Sequence, residues 1–520
     1  MSQEVAEHSS GGKGLKTGAL GLVSVVVIGV ASTAPGYSLA ASLGLVSAEV
    51  GNQAPAIMWF AFIPMACIAA AYFYLNKADP DCGTTFTWVT RAMGPKTGWF
   101  GGWGIVLADL VIMPNLAGIS GQYVFLLFGA DGMAANSTAT TILGCAFIMG
   151  MSWICVVGIE MSARSQVLLL GTEVLVLFVF AVVALFKVYV DEPKGSIKPS
   201  LSWLNPFEIK SASALAAGLV IAVFIYWGWD TAVSVNEECE DSARTPGVAA
   251  ILSTVILLLI YVIVTMGAQA FSGAEFLSAN QDDVLSAVGA AVFGTSGFGV
   301  VMQKLLIISV LTSAAASCQT TILPAARSAL SMAVHGAAPR KLGEINQRRL
   351  TPAFATWLFG IISCVWYVGL VAISENTNIQ AYDSAIAAVG IMIAFYYGLT
   401  GYACVVYYWK YLFTSVKNFV LVGLLPLIGS LMLTFVLWTT LKDSISVDYE
   451  YGTIFGIGTV FFIGVSLLAL GVPLMLWMMM KQPAFFNFRR DPVAMRPDPD
   501  GNGGPAPALG TYTKENADVR

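Results

Sequence analysis

Residues 31–36 read Ala-Ser-Thr-Ala-Pro-Gly and interrupt the first long apolar run of the chain, over about residues 17–46. That run is long enough to cross a lipid bilayer, whose core needs roughly 20 residues of apolar helix. Pro35 has no backbone N–H and disfavours helical backbone at Ala34, and Gly36 costs backbone entropy in a helix. Backbone groups released at membrane depth must bond to protein or face a water-filled cavity. We therefore predict an unwound segment that lines a cavity, with a simple helix kink as the alternative.

The composition is that of an integral membrane protein. Of the 520 residues, 57% are hydrophobic and only 11% are charged, whereas soluble domains carry about 25% charged residues. The net charge of −5 argues against nucleic acid as a partner. The two histidines, His8 and His335, belong to no cluster with metal-ligand spacing. We therefore expect no metal, no cofactor and no catalytic residues.

Apolar runs in the sequence predict twelve transmembrane helices. They lie near 17–46, 53–76, 98–127, 138–158, 165–189, 213–235, 247–271, 297–333, 353–374, 382–409, 418–440 and 452–480. Most lysines and arginines then fall on one side, so the positive-inside rule predicts cytoplasmic termini in a plasma-membrane protein. We expect residues 1–16 to form a cytoplasmic N-terminal segment. Residues 484–520 are rich in Pro, Gly and charge, which predicts a disordered cytoplasmic tail.

A second interruption is predicted in the sixth apolar run, where residues 224–231 read Phe-Ile-Tyr-Trp-Gly-Trp-Asp-Thr. An acid at the bilayer centre costs roughly 2.5–3.5 kcal/mol, and a broken helix would let Asp230 face a cavity. The two interruptions are five spans apart. Because five is odd, a second repeat would start on the opposite side of the membrane, and such paired breaks indicate a binding site at the midplane. We therefore predict inverted repeats over 17–212 and 213–409, followed by two further helices in 410–483.

Four blocks of the sequence resemble the amino acid–polyamine–organocation (APC) transporters, and the resemblance extends over nearly all of residues 17–480. The blocks are Pro80 to Gly83 with Phe86, Trp88, Arg91, Gly94 and Gly98-Trp99; Gly158 to Arg164; Gly228 to Asp230 with Glu237-Glu238 and Thr245-Pro246; and Arg327 to Met332 with Gly336 and Pro339. The resemblance implies an all-α membrane protein with a LeuT-type fold and broken helices 1 and 6. The family usually has Gly-Ser-Gly or similar where this chain has Thr33-Ala34-Pro35. Asp109 with Pro114 is similar to a subgroup of amine and amino acid importers.

The resemblance implies that substrate binds at the two breaks. A zwitterionic amino acid needs donors for its carboxylate and acceptors for its ammonium, which helix ends at a break can supply. We assign the carboxylate to the backbone of Thr33 to Gly36 and the ammonium to carbonyls near Ala31 and residues 224–227. The predicted substrate-binding residues are Ala31, Ser32, Thr33, Ala34, Pro35, Gly36, Asp109, Phe224, Tyr226, Trp227, Gly228 and Trp229. For the aromatic residues, packing in the core or against lipid is the alternative.

Three acids within apolar runs are candidates for proton coupling or gating. Asp109 lies among aliphatic residues and could pair with a substrate amine or carry a proton. Asp230 matches an acid of the family that follows the glycine of span 6, and Glu173 in span 5 is a third candidate; structural hydrogen bonds are the alternative. Thr312 and Ser313 resemble the sodium site of the fold, although such hydroxyls usually bond to the backbone. Proton coupling is therefore the expectation, and sodium coupling stays open.

The acids after span 6 face several basic residues on the predicted cytoplasmic side. We predict an inner gate whose ion pairs involve Arg91, Glu237, Glu238 and Arg327, with a solvated charged face as the alternative. The leading interpretation is a secondary active transporter that imports small amino acids across the plasma membrane by alternating access. A polyamine or amine importer or exchanger is the close alternative. A non-transporting membrane nutrient sensor is the alternative from another class, and the sequence does not indicate an oligomeric state.

Overall fold

The computed structural model describes residues 13–281, 283–294, 297–446, 452–487 and 499. Its helices are α1 (Leu22–Ser32), α2 (Pro35–Val50), α3 (Ala54–Ala78), α4 (Thr85–Met93), α5 (Pro95–Leu127), α6 (Asp131–Ala134), α7 (Ser137–Val157), α8 (Ile159–Val190), α9 (Ala212–Ile225), α10 (Thr231–Ser234), α11 (Thr245–Ala279), α12 (Val284–Phe293), α13 (Phe298–Val334), α14 (Ala353–Asn376), α15 (Ala381–Tyr407), α16 (Val416–Asn418), α17 (Leu425–Ser444), α18 (Thr459–Lys481) and α19 (Pro483–Phe486). A short antiparallel pair, β1 (Thr453–Ile454) and β2 (Ile457–Gly458), precedes α18.

Ten helical stretches of the described chain are long and apolar enough to cross a membrane. The first, Leu22–Ala78, includes most of the apolar run 17–46 and all of the run 53–76. The run 213–235 corresponds to the shorter apolar helix α9 of 14 residues. The protein is therefore a mostly helical, multi-pass membrane protein.

Helix α5 occupies the centre of the bundle. In the most apolar 18-residue stretch of α5, 89% of the residues are buried. The corresponding share is 33% in α7 and 28% in α18. It packs against α13, α7, α4 and α15, and α13 packs in turn against α8 and α7. A residue in the middle of α5 therefore faces other helices rather than lipid.

The first predicted interruption is present but is shorter than expected. Helix α1 continues through Ser32, and α2 begins at Pro35. Only Thr33 and Ala34 separate them, with Ala34 in a left-handed conformation at φ 46° and ψ 61°. The first helical position suits proline, because the missing N–H would have no helical acceptor there. Pro35 and Gly36 thus begin a helix instead of extending the break.

The second predicted interruption lies between α9, which ends at Ile225, and the short helix α10. Residues 226–230 form consecutive turns, and Gly228 has φ 114°, a backbone conformation that residues with a Cβ rarely adopt. The glycine between two tryptophans is what allows the chain to turn here.

The predicted terminal segments lie largely outside the described residues, which exclude 1–12, 488–498 and 500–520. The structure describes a few residues of each segment. Helix α19 falls within the segment expected to be disordered, and its Phe485 stacks on Phe86 at a ring-centroid distance of 5.5 Å. At the other end Leu15 is buried against Cys82 and Leu330, because this apolar side chain has a hydrophobic contact surface available on the bundle.

Candidate substrate site

The two helix interruptions meet inside the bundle. A Cβ placed on Gly228 would lie only 2.7 Å from the carbonyl oxygen of Ser32. The hydroxyls of Ser32 and Thr231 are 2.8 Å apart, and the Ser317 hydroxyl on α13 donates to the Ser32 carbonyl at 2.7 Å. The last carbonyl of α1 therefore contacts both the second break and a third helix.

The first amides of α2 are bound by side chains from other helices. The Gly36 N–H donates to Oε1 of Glu173 on α8 at 2.6 Å, and the Tyr37 N–H donates to the Ser313 hydroxyl on α13 at 3.1 Å. Glu173 is completely buried, and its Oε2 has no hydrogen-bond partner among the described residues. The protein's own carboxyl group thus occupies the helix end to which we assigned a substrate carboxylate.

At the second break, Asp230 is held by two tyrosines of α15. The hydroxyl of Tyr397 donates to one carboxylate oxygen at 2.8 Å, and that of Tyr396 donates to the other at 3.1 Å. The same hydroxyls accept hydrogen bonds from Trp227 Nε1 at 2.5 Å and from the Gly228 N–H at 3.4 Å. Each tyrosine therefore bridges the carboxylate to the turn that precedes it. The tyrosine pair was missed from the sequence, where it reads as part of an apolar run.

Two of the predicted aromatic contacts belong to the packed core. Tyr226 donates to the carbonyl of Met58 at 2.9 Å. The ring of Trp229 lies 5.1 Å from that of Tyr72 and 5.3 Å from that of Tyr397, and both predicted residues are completely buried. In this structure both side chains therefore pack in the protein core, which is the alternative given above for the aromatic residues.

Asp109 lies on the buried side of α5, with 3% of the residue exposed. One of its carboxylate oxygens, Oδ2, has no hydrogen-bond partner among the described residues. Its carboxyl group is close enough to that of Asp230 for their negative charges to repel each other. An unpaired acid in this position can accept a cationic group or a proton.

A cavity of about 310 Å³ lies between α2, α9, α15 and α17, next to the breaks. Its lining includes Ser38, Phe224 and Ile225, and its one charged lining residue in the described chain is Asp383. The residues of 31–34 are themselves buried, each exposed by 5% or less. Phe224 is thus the predicted site residue that lines this cavity, and the expectation that residues 31–36 line a cavity stays a prediction. Asp383 was missed because it lies at the start of a long apolar run.

The two hydroxyls predicted for sodium have protein partners. Thr312 donates to the carbonyl of Ser309 in its own helix at 3.1 Å, as hydroxyls in membrane helices commonly do. Ser313 accepts from the Tyr37 amide. Sodium coupling stays a prediction.

The predicted inner-gate residues separate into different ion pairs. Arg327 and Glu238 form a buried two-bond pair, with Nε to Oε2 at 2.6 Å and Nη2 to Oε1 at 3.0 Å. Arg91, in the last turn of α4, instead pairs at 2.5 Å with Asp79, which directly follows α3. Arg327 therefore pairs with Glu238, while Arg91 and Glu237 belong to separate ion pairs, and a gating role for these residues stays a prediction.

Glu237 belongs to a second group, the Lys13 cluster, formed by Lys13, Asp81, Cys82, Glu237 and His335. The Lys13 ammonium lies 2.7 Å from Asp81, 2.5 Å from Glu237 and 3.6 Å from the Cys82 sulfur. The ligand atoms of Asp81, Cys82 and Glu237 are close enough to hold a metal ion, but the ammonium already contacts all three.

The Lys13 cluster perturbs the acidity of its members. Burial alone would raise the pKa of Asp81, but the charge of Lys13 and the hydrogen bond with His335 outweigh burial and hold the pKa well below its usual range. Burial likewise disfavours the charged form of Lys13, yet Asp81 and Glu237 raise the pKa of the ammonium well above its usual value. The pair therefore stays ionised.

The chain matches the family model for amino acid permeases over residues 20–477. It is 25% identical over 390 residues to the vacuolar cationic amino acid transporter 4 of Arabidopsis thaliana, covering 69% of this chain and 60% of the relative. It is 24% identical over 383 residues to the branched-chain amino acid permease BcaP of Bacillus subtilis, and 23% identical over 370 residues to the low-affinity putrescine importer PlaP of Escherichia coli. Both of these alignments cover 70% of this chain and 77% of the relative. These relatives are transport proteins and not enzymes. The family match extends over most of the sequence and confirms the resemblance, so this chain belongs to the amino acid permease family of the APC superfamily.

Proposed function

We propose that this protein is a secondary active transporter that carries a small molecule with an amino group across the membrane by alternating access. The observation that carries the proposal is the contact between the two breaks, where Gly228 meets the Ser32 carbonyl. Paired broken helices are how transporters with inverted repeats form a midplane site. The proposed architecture is of the LeuT type, with twelve spans, repeats over 17–212 and 213–409, and both termini in the cytoplasm of a plasma-membrane protein.

A cavity on one side of the breaks and ion pairs on the other side support a cycle with alternating access. The cavity beside α2 and α9 approaches the breaks from one side. In the proposed orientation the opposite side is cytoplasmic. There the buried Arg327–Glu238 pair connects α13 to the segment after α10, and the Lys13 cluster connects the N-terminal segment to Asp81 and Glu237. In the proposed cycle these ion pairs separate when the site opens to the cytoplasm, while the first helix tilts at Thr33 and Ala34.

Proton coupling is the proposed source of energy, with Asp109 and Asp230 as the carriers and sodium as the alternative. Both acids are buried, and Asp109 has an oxygen without a partner among the described residues. Protonation removes the cost of burying a charge while the site changes conformation. Glu173 is less suited to this role, because its carboxyl group is bonded to α2.

The relatives support substrates with an amino group, since their names include cationic amino acids, branched-chain amino acids and putrescine. A small amino acid was the leading expectation from the sequence, and an amine was the alternative. Both classes share an ammonium group, which the buried acids and aromatic rings of this site can bind.

The proposal is tested with the purified full-length chain. A thermal-shift screen of amino acids and amines, with and without sodium, identifies ligands, since bound ligand raises apparent stability. Proteoliposomes then measure counterflow and pH-driven accumulation of each ligand. We expect Asp109→Asn to lose pH-driven accumulation, while Glu49→Gln, at an exposed position of α2, keeps both accumulation and counterflow. A ligand that stabilises the protein without any counterflow would instead favour a sensor.

A further inference from the structure

At the first break, the amides have partners within the protein. Thr33 and Ala34 donate to carbonyls of α1 at 3.2 and 3.1 Å, Pro35 has no N–H, and Gly36 and Tyr37 donate to the side chains of Glu173 and Ser313. A substrate carboxylate would have to displace one of these acceptors. The strongest competitor is Glu173, because its oxygen is 2.6 Å from the Gly36 nitrogen.

The buried cationic side chains that could bind a substrate carboxylate already form ion pairs with acids of the protein. In the described part of the chain, the basic residues that are fully buried are Arg91 and Arg327. Each is paired with an acid, Asp79 and Glu238 respectively. A carboxylate at the breaks would therefore meet neither a vacant amide of the first break nor an unpaired buried arginine.

The site does offer groups for a cation. Asp109 and Glu173 each have one buried oxygen without a partner among the described residues. The indole of Trp227 and the ring of Tyr396 adjoin the second break, and aromatic faces attract cations. The charged residue that lines the neighbouring cavity is Asp383, again an acid.

We propose that Glu173 fills the carboxylate subsite of this transporter and thereby makes it select organic amines that lack a carboxylate. The inference rests on the proposed function and specifies the substrate class of the same site. The Glu173 carboxyl takes the place that the carboxylate of an amino acid would occupy on α2. The ammonium of the amine is left to Asp109 and the aromatic rings.

The experiment compares common amino acids with their own decarboxylation products, such as lysine with cadaverine and valine with isobutylamine. Each compound competes in counterflow by the full-length protein in proteoliposomes. We expect each effective amine to compete at concentrations about tenfold or more below those of its parent amino acid, a difference of roughly 1.4 kcal/mol. An amino acid that competes better than its amine overturns the inference and leaves the transport proposal intact. Absence of counterflow with every compound overturns both.

Two variants test the role of Glu173 itself. Glu173→Ala vacates the Gly36 amide, so we expect the preference for the amine to shrink about tenfold or more through tighter binding of the amino acid. Glu173→Gln retains an oxygen acceptor for Gly36 and should keep most of the preference. Because the expected change in the alanine variant is a gain of affinity, misfolding cannot imitate it. An unchanged preference in that variant overturns the assignment, and if the variant does not fold, the comparison in the unmodified protein decides.

Discussion

Gly228 and Ser32 are in contact at the point where the two broken helices meet. A Cβ atom on Gly228 would lie 2.7 Å from the carbonyl oxygen of Ser32, which is too close for a side chain. The two residues are far apart in sequence, on segments that each interrupt a membrane helix. The contact joins the end of α1 to the turn before α10.

We expect Gly228→Ala to destabilise the protein by about 1–3 kcal/mol and to abolish transport. The new methyl group would lie 2.7 Å from the Ser32 carbonyl oxygen, and the backbone at φ 114° is strained for any residue with a Cβ. Gly171→Ala is the control, since nothing lies within 4 Å of a Cβ there. The measurements are the melting temperature in detergent and counterflow. Equal behaviour of the two variants would contradict the close approach.

The Arg327–Glu238 pair provides a second prediction. Because both side chains are buried, removing one partner leaves an uncompensated charge, and we expect Arg327→Ala or Glu238→Ala to cost about 3–5 kcal/mol. The double variant should lose less than the sum of the two single variants. Chemical unfolding measures all three, and additive losses would contradict direct pairing. Lys198→Ala, which removes one partner of an exposed pair with Glu192, should have no measurable effect.

Local sequence chemistry was sufficient to locate the helix breaks. Pro35 and Gly36 mark the first, and Gly228 before Asp230 marks the second, because these residues act on their own backbone. The break at Thr33 and Ala34 is shorter than predicted, since proline and glycine are compatible with the first turn of a helix. Element boundaries depend on such capping preferences, which the apolar pattern does not resolve.

The partners of the site residues could not be predicted in the same way. Glu173 is 137 residues from Gly36, and Tyr396 is 166 residues from Asp230. Which helices bring these groups together is decided by packing of the whole bundle. The sequence therefore identified Glu173 as an acid within span 5 and a candidate for proton coupling, but not as the acceptor for the first amide of α2.

Tyr397 provides a test of the second break. Tyr397→Phe keeps the ring but removes the donor to Asp230 at 2.8 Å, so we expect a loss of about 1–3 kcal/mol in stability and slower counterflow. Tyr402→Phe in the same helix is the matched control, because its hydroxyl pairs with Thr434 instead. If both variants lose the same stability, the bond to Asp230 has no special role.

The Lys13 cluster makes a prediction about pH. The pKa of Asp81 is held well below its usual range in the folded protein, so its stabilising effect is complete above the unfolded pKa of about 3.9. The effect is lost as the pH falls through the folded pKa. The raised pKa of Lys13 gives an effect that is complete below the unfolded pKa of about 10.4 and is lost as the pH rises through the folded value.

We therefore expect Asp81→Asn to lower the melting temperature by a constant amount between about pH 5 and pH 8, with the difference from the unmodified protein shrinking below about pH 4. Glu160→Gln removes one partner of the exposed Lys16–Glu160 pair and should leave the melting temperature unchanged, because solvent screens such pairs. Thermal melts of the three proteins over this pH range make the comparison. A penalty for Asp81→Asn that changed sharply between pH 5 and pH 8 would mean that a group other than the Lys13–Asp81 pair dominates this end of the bundle.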